Sequence, residues 1–179
     1  MIEAALAIVE EKGFVAATLD EVATRAGMTK GAIYSNFGCK ADLMLAVARS
    51  RSVAFAPDYA PGASLEAHLT QVAQAIAAML PAIQKAARLR ADFQVFLQGE
   101  PELRAKMAEE MTKELEALIG LVDSRHGDEL RISATQFVVT AQALAVGLAH
   151  QSMQTPELVT ESIILSAFQT LAIGAKRAT

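Results

Sequence analysis

At 179 residues, the chain has the length of one ordinary domain or of a small domain joined to a larger one. Its residues are 53 % hydrophobic and only 5 % aromatic, which favours an all-helical protein over a β-sandwich or barrel. One cysteine excludes an internal disulfide framework, and a net charge of −4 gives no overall attraction for nucleic acid. Glu3 stands where a secretion signal would be basic, and the most apolar run, residues 137–149, falls short of the roughly 20 residues that span a membrane. We therefore expect a soluble cytoplasmic protein.

An N-terminal helix is predicted by apolar residues three and four positions apart, and Gly13 ends it. A second, shorter helix begins after Thr18, which has the spacing of a capping box with Glu21. Gly27 ends this helix, because glycine tolerates a positive φ. Thr29 is placed to cap a third short helix.

The third helix is broken at residues 38–40, and a fourth begins at Lys40 or Asp42. The stretch 56–64 contains two prolines and a glycine and is the best candidate for a domain boundary. Beyond it, helical spacing predicts five longer helices, with Pro81 breaking or kinking the first of them, over residues 65–80, 82–97, 101 to about 122, 132–151 and 156–176. The predicted fold is all-α with about nine helices.

The charge is unevenly distributed along the chain. Residues 22–51 contain five basic and one acidic side chain, whereas residues 56–179 contain ten basic and fourteen acidic ones. A basic section in an acidic chain indicates a local footprint for an anion such as phosphate, although a solvated helix face would have the same composition.

Two short helices joined by a tight turn at Gly27 form the pattern of a helix-turn-helix, whose second helix enters the major groove of DNA. The start of the second helix offers unpaired backbone N–H groups, Lys30 adds a cation, and Gly31 allows the backbone to approach a ligand closely. Short or aromatic polar side chains follow at Tyr34, Ser35 and Asn36. The alternative is that these residues only cap the helix and complete the core.

The segments "AALAIVEEKGF", "DEVATRAGMTKGAIYSNF" and "LMLAV", with Thr18 and Lys40, resemble the DNA-binding domain of the TetR family of bacterial transcriptional regulators. The resemblance covers about fifty positions; the remainder resembles the family only in length, helicity and order of elements. It implies a three-helix helix-turn-helix DNA-binding domain over residues 1–50 and a helical ligand-binding and dimerisation domain over residues 51–179. It also implies phosphate contacts from Thr18, Thr29, Tyr34 and Lys40, and groove-facing positions at Met28, Lys30, Gly31, Ala32, Ser35 and Asn36.

Two positions depart from the family pattern. The family usually has a basic stretch before the first helix, and this sequence begins inside that helix, so we expect either an arm outside this sequence or a weaker grip on DNA. Cys39 stands where serine, threonine or proline-serine is usual. It is either a loop residue of no special chemistry or, close to Lys40, a thiol sensor with a lowered pKa.

The last two helices are apolar on more than one face, which predicts more than one packing partner. The resemblance implies that they pair with the same helices of a second copy in a four-helix bundle; the alternative is a buried monomer core. The predicted interface residues are Phe137, Ala141, Leu144, Leu148, Ile164, Phe168 and Leu171.

A ligand pocket is predicted between the central helices, where methionine and phenylalanine suit an adaptable apolar cavity and also ordinary core. The predicted lining is His68, Met79, Phe93, Gln94, Phe96, Met107 and Met111. Arg88 or Arg90 could meet an acidic ligand or remain a solvated charge. The three histidines lack ligand spacing, so neither a metal nor a cofactor is expected.

These features together predict a homodimeric regulator, most often a repressor, that binds double-stranded operator DNA and is released by a small apolar or amphipathic effector. No catalytic cluster is recognisable, so we do not expect an enzyme. The alternative is a helical dimer that binds a small molecule but not DNA.

Overall fold

The computed structural model describes residues 1–51 and 62–177. These residues form nine α-helices and one short 3-10 turn, Gly127–Glu129, and contain no β-strand, so the predicted all-α fold is confirmed. The helices are α1 (Ile2–Ala16), α2 (Leu19–Ala26), α3 (Lys30–Phe37), α4 (Lys40–Ser50), α5 (Leu65–Lys85), α6 (Ala87–Gln98), α7 (Pro101–His126), α8 (Ala134–Gln154) and α9 (Glu161–Ala175). None of the helices described is both long and apolar enough to cross a bilayer.

The chain folds into two compact units. The first consists of the described residues of Met1–Ser52 together with Ala86–Glu109, and the second of those of Val53–Lys85 and Glu110–Thr179. The predicted boundary at residues 56–64 lies mostly outside the described residues. The functional division into residues 1–50 and 51–179 stays a prediction, and by packing alone α6 and the start of α7 join the N-terminal helices.

The core of the first unit forms where α6 packs on α1 and α4. Phe14 is fully buried there, with its ring centroid 5.1 Å from that of Phe93 and 6.0 Å from that of Phe96. Apolar residues from α1 to α4, including Leu6, Ile33 and Leu43, complete this core. Burial of these side chains fixes α2 and α3 on their support, at about 25 cal/mol for each Å² of apolar surface removed from water.

The end of α1 is shaped by a contact that joins residues far apart in the sequence. The backbone leaves the helical conformation at Gly13, with φ +86° and ψ 165°, as the sequence predicted. The N–H of Phe14 then donates to Asp92 Oδ2 on α6 at 2.8 Å. A Cβ at position 13 would lie 2.9 Å from the same carboxylate oxygen, so only glycine fits here without displacing Asp92.

The second unit is built around α5, which packs against α9 and α8. Its most buried large side chains include Phe168 and Ile164 on α9 and Phe137 on α8. Two predicted helix bounds are corrected here. The helix α5 continues through Pro81 to Lys85, since a proline near a helix end removes only one backbone hydrogen bond. The helix α9 begins at Glu161 because the hydroxyl of Thr160 caps it, not at position 156.

Candidate nucleic-acid interface

The capping box that begins α2 is present as predicted. Thr18 Oγ1 accepts from the N–H of Glu21 at 3.4 Å, and the N–H of Thr18 donates to Glu21 Oε2 at 3.1 Å. Lys12 on α1 forms an ion pair with the same carboxylate. Lys12, and next Thr18, lower the pKa of Glu21 to about 2, so this carboxylate stays ionised and holds the start of α2 against α1.

The turn between α2 and α3 is a Schellman motif. Gly27 has φ +62° and ψ 32°, its N–H donates to the carbonyl of Thr24, and the N–H of Met28 donates to the carbonyl of Ala23 at 2.9 Å. The left-handed conformation at Gly27 redirects the chain within two residues. It therefore sets the position of α3 relative to α2.

The first turn of α3 is exposed. Thr29 caps it by accepting from the N–H of Ala32 at 3.2 Å, and Ile33 anchors it through its fully buried side chain. Most of the side chains that the sequence assigns to DNA point to solvent: Thr18, Met28, Thr29, Lys30, Gly31, Tyr34, Ser35 and Asn36 are exposed, and Ala32 is half-buried. The structure thus brings nine of the ten predicted positions onto the accessible part of α2 and α3.

Two polar side chains on α3 share one backbone acceptor. Ser35 Oγ donates to the carbonyl of Ala32 at 3.0 Å, and Asn36 Nδ2 donates to the same carbonyl at 2.7 Å. Their donors are engaged, while the hydroxyl lone pairs of Ser35 and the Oδ1 atom of Asn36 still point outward as acceptors. In the major groove, acceptors suit the exocyclic amino groups of adenine and cytosine.

Glycine at position 31 has no explanation within the fold. Its φ is not positive, and a Cβ there would have one neighbour within 4 Å, Thr29 Oγ1 at 3.8 Å, which is an ordinary contact. Glycine costs about 0.5–1 kcal/mol relative to alanine in a helix. Its presence is therefore better explained by something that approaches the α3 backbone from outside.

Lys30 is paired within the protein, which sequence reasoning missed. Its Nζ atom lies 3.0 Å from Asp20 Oδ2, and this carboxylate raises the pKa of Lys30. The +4 of residues 22–51 is offset by acidic residues just before it, because residues 1–51 contain six basic and six acidic side chains. The local footprint is thus less basic than the sequence segment indicated, and Lys30 must exchange Asp20 for a phosphate.

Lys40 occupies a more interior position than a phosphate contact requires. Its Nζ atom donates to the carbonyl of Val15 at 3.0 Å and lies 5.7 Å from the centroid of the Phe96 ring. Burial lowers the pKa of Lys40. In this structure Lys40 joins α4 to the end of α1 and to α6, and its contact with DNA stays a prediction.

Cys39 is the N-cap of α4. Its Sγ atom accepts from the N–H of Asp42 at 3.4 Å and donates to Asp42 Oδ2 at 3.2 Å, and this thiol contact lowers the pKa of Asp42. Lys106 on α7 also pairs with Asp42. A sulfur in the place of the usual hydroxyl cap thus has a structural role that neither sequence interpretation included.

The residues predicted to line a ligand pocket are divided between the two units. Phe93, Gln94, Phe96 and Met107 belong to the first unit, and Phe96 is part of its aromatic core; His68, Met79 and Met111 belong to the second. The structure gathers Phe93, Gln94 and Met107 along one cavity of about 260 Å³. The predicted set as a whole stays a prediction.

Two histidines that are distant in the sequence meet in the second unit. His68 Nδ1 lies 2.7 Å from His126 Nε2, and His126 Nδ1 lies 2.9 Å from Glu129 Oε1. Both imidazoles are buried, so their ring nitrogens satisfy one another inside the protein. No group of three or more metal-ligating side chains is found in the parts of the chain that the structure describes.

The predicted dimer interface is corrected by burial. Phe137, Ile164 and Phe168 are at most 2 % exposed and fill the core of their own unit, so a partner could not bury them further. The other four predicted residues pack against that same core: Ala141, Leu144, Leu148 and Leu171. The outward apolar residues of α8 and α9 are instead Val139, Val146, Ile163 and Ile173.

An all-helical chain with a capped helix-turn-helix in its first unit belongs to the class of helix-turn-helix proteins. Residues 1–47 match the family model of bacterial regulatory proteins, tetR family. Through this N-terminal domain, the chain belongs to the TetR family.

Relatives and solved structures agree with this assignment. The uncharacterized HTH-type transcriptional regulator TtgW from Pseudomonas putida is 36 % identical over 83 residues, which cover 46 % of this chain and 60 % of that protein. The chain thus spans less than two thirds of that relative.

Two solved structures are similar over almost the whole chain. FadR from Bacillus subtilis, in complex with stearoyl-CoA, has a TM-score of 0.65 at 17 % identity, covering 97 % of this chain and 96 % of that one. NalD, the secondary repressor of the MexAB-OprM multidrug efflux pump in Pseudomonas aeruginosa, has a TM-score of 0.64 at 20 % identity, covering 99 % and 96 %. At these identities the similarity establishes the fold.

Proposed function

We propose that this chain is a homodimeric transcriptional regulator in the cytoplasm that binds operator DNA through α2 and α3. The observation that carries the proposal is the exposed first turn of α3, where Thr29 caps free backbone amides and Gly31 leaves the backbone open to a close approach. A helix N-terminus attracts phosphate through its N–H groups and its partial positive charge. The match of residues 1–47 to the tetR family supports the same use of this surface.

The sign of regulation that we propose is repression, with release by a small apolar or amphipathic effector. NalD is a repressor, and the FadR structure contains stearoyl-CoA, which supports both parts by analogy. Effector binding would then lower the affinity for DNA by a coupling free energy of about 1–3 kcal/mol. Comparing operator affinity with and without a bound effector tests this directly.

Replacing Lys30 with alanine should weaken binding to the DNA that flanks the gene of this protein. Because one phosphate contact is lost, the slope of log K against log salt concentration should fall in magnitude by about one. Asp20→Asn should have the opposite effect on affinity, since it releases Lys30 and removes a carboxylate beside the phosphates. Fluorescence anisotropy at several salt concentrations measures both quantities.

Lys85→Ala, an exposed lysine on α5, is the matched control and should bind as the wild type does. If Lys30→Ala has the affinity and salt slope of the wild type, the assignment of Lys30 to a phosphate is wrong. If the wild-type chain binds no DNA from that region, the alternative of a ligand-binding dimer without DNA binding is favoured.

The pairing surface that we propose is the outward stripe of α8 and α9. Val146 on α8 is 63 % exposed and Ile173 on α9 is 72 % exposed, although both are apolar. Gly147 and Gly174 lie on the same helices, and a Cβ at either would meet no atom within 4 Å. Small residues beside exposed apolar ones allow close packing against a second copy.

Val146→Arg should convert the dimer to monomer. A two-fold interface places both introduced arginines in the same apolar contact, so the dissociation constant should rise at least about a hundredfold. Sedimentation equilibrium should give twice the chain mass of 19.0 kDa for the wild type and a single mass for the variant. The control is Val95→Arg on α6, which is equally exposed but lies in the first unit; a Val146→Arg variant that remains dimeric would exclude this stripe.

A further inference from the structure

A cavity in the first unit combines an apolar floor with a cationic rim. It has a volume of about 260 Å³ and opens between the end of α4, the face of α6 and the start of α7. The floor contains Leu45 and Phe93, which are buried, and Leu89 and Met107, which are half-buried. Apolar side chains that are only half-buried around a cavity leave room for a short hydrocarbon chain.

The rim of this cavity contains three arginines and no carboxylate. Arg49 and Arg51 come from the end of α4, and Arg90 comes from α6. An acid near the rim is Glu3, whose Oε2 atom lies 3.9 Å from a guanidinium nitrogen of Arg51. That pair is largely exposed and therefore weak, so it does not neutralise the rim.

From this juxtaposition we propose that the cavity binds an anionic amphiphile, such as a medium-chain carboxylate, with its tail on the apolar floor and its head group among Arg49, Arg51 and Arg90. Guanidinium groups bind carboxylates in a planar, bidentate arrangement that lysines cannot reproduce. The cavity volume lies below the range for drug-sized ligands, which favours a single short chain over a large ring system. Gln94 adds an uncharged polar group to the same lining.

The position of the cavity gives this ligand a route to the helix-turn-helix. Its floor is formed partly by α4, and α4 packs on α1 and α3 within the same compact unit. A ligand that orders or shifts α4 therefore acts on the support of α3. The role of the ligand as an effector rests on the proposed function, whereas its binding to the cavity does not.

The test uses the full chain labelled with methyl-¹³C methionine, because Met107 lines the cavity; Met107→Leu assigns its NMR signal. Three probes share one ten-carbon chain and differ in charge: decanoate, 1-decanol and decyltrimethylammonium. Decanoate should shift the Met107 signal saturably and bind about tenfold more tightly than decanol, while decyltrimethylammonium should be the weakest. Decanoate and decanol binding with equal affinity, or decanoate leaving the Met107 signal unmoved, would overturn the proposal.

Variants of the rim separate recognition of the charged head group from binding of the apolar tail. Arg49→Gln and Arg90→Gln should each weaken decanoate about tenfold and leave decanol unchanged. Arg88→Gln, an exposed arginine two positions away on α6 that does not line the cavity, should change neither. Equal losses in Arg88→Gln and Arg90→Gln would mean that only overall charge matters, which contradicts a built site.

The same variants distinguish failure of the site from failure of the proposed function. If the wild type binds decanoate as expected but binds no DNA, the cavity assignment stands and the regulator assignment fails. If it binds DNA and decanoate shifts Met107, decanoate should lower the DNA affinity of the wild type and not that of Arg90→Gln. An unchanged DNA affinity in that case would overturn the effector role of this ligand.

Discussion

Replacing Gly13 with alanine is expected to lower the free energy of unfolding by about 2–4 kcal/mol. One part of this loss is backbone strain, because φ +86° with ψ 165° is a conformation that is essentially restricted to glycine and costs about 1–3 kcal/mol for other residues. The other part is the hydrogen bond from Phe14 to Asp92, since the new Cβ would lie 2.9 Å from Asp92 Oδ2 and push the acceptor away. Urea unfolding followed by circular dichroism measures the change.

A double-mutant cycle separates the two contributions. In an Asp92→Ala background the carboxylate is absent, so Gly13→Ala should cost only the backbone strain, and the two single losses should exceed the loss of the double variant. Gly99→Ala is the control, because Gly99 ends α6 in the same unit with a φ of −82° that any residue can adopt. A Gly13→Ala variant as stable as Gly99→Ala would show that Gly13 is not the constraint that we describe.

The local elements of this fold could be predicted because their signals lie within a few residues of one another. Thr18 with Glu21 predicted the start of α2, Gly27 predicted its end, and Thr29 predicted the start of α3. Each of these interactions spans at most five residues, so the sequence contains both partners in one window. The exposed face of α3 followed from the same pattern.

Contacts between distant residues could not be predicted in this way. Phe14 and Asp92 are separated by 78 positions, and His68 and His126 by 58. No periodicity or capping rule connects such residues, because their meeting depends on how whole helices pack. The histidines were therefore interpreted as scattered, although they form a buried pair.

The choice between two apolar faces of one helix has a similar physical origin. On α8, the stripe that contains Phe137 and the stripe that contains Val139 and Val146 are both apolar, so hydrophobicity alone gives either of them to the core. The structure places the larger Phe137 inside and leaves the two valines outside. Filling a core with the bulkier side chains removes more apolar surface from water, which explains the outcome once the packing is known.

The charges near α3 show why the affinity for DNA should depend on geometry more than on net charge. Lys30 is paired with Asp20, and Arg25 forms an ion pair with Glu11, so few cations of this surface are unopposed. Exposed pairs of this kind contribute little to stability, and phosphates can replace their acidic partners. Recognition then rests on how closely the α3 backbone can approach the duplex.

Enlarging Gly31 should therefore abolish much of the DNA binding without harming the fold. A Cβ at position 31 meets only Thr29 Oγ1 at 3.8 Å, so Gly31→Ala and Gly31→Leu should leave the free energy of unfolding unchanged or raise it by up to about 1 kcal/mol. Each added carbon holds the helix start farther from the sugar-phosphate backbone. The affinity for DNA should fall in the order glycine, alanine, leucine, with a loss of at least about tenfold for leucine, equivalent to about 1.4 kcal/mol.

Gly120→Ala on α7 is the matched substitution, because Gly120 is also an exposed helical glycine and has no atom within 4 Å of an added Cβ. It should raise stability to the same extent and leave the affinity for DNA unchanged. Anisotropy titrations and urea unfolding on all four proteins give both quantities. A Gly31→Leu variant that binds DNA like the wild type would mean that the start of α3 does not face the duplex, and one that unfolds would mean that the fold itself requires the glycine.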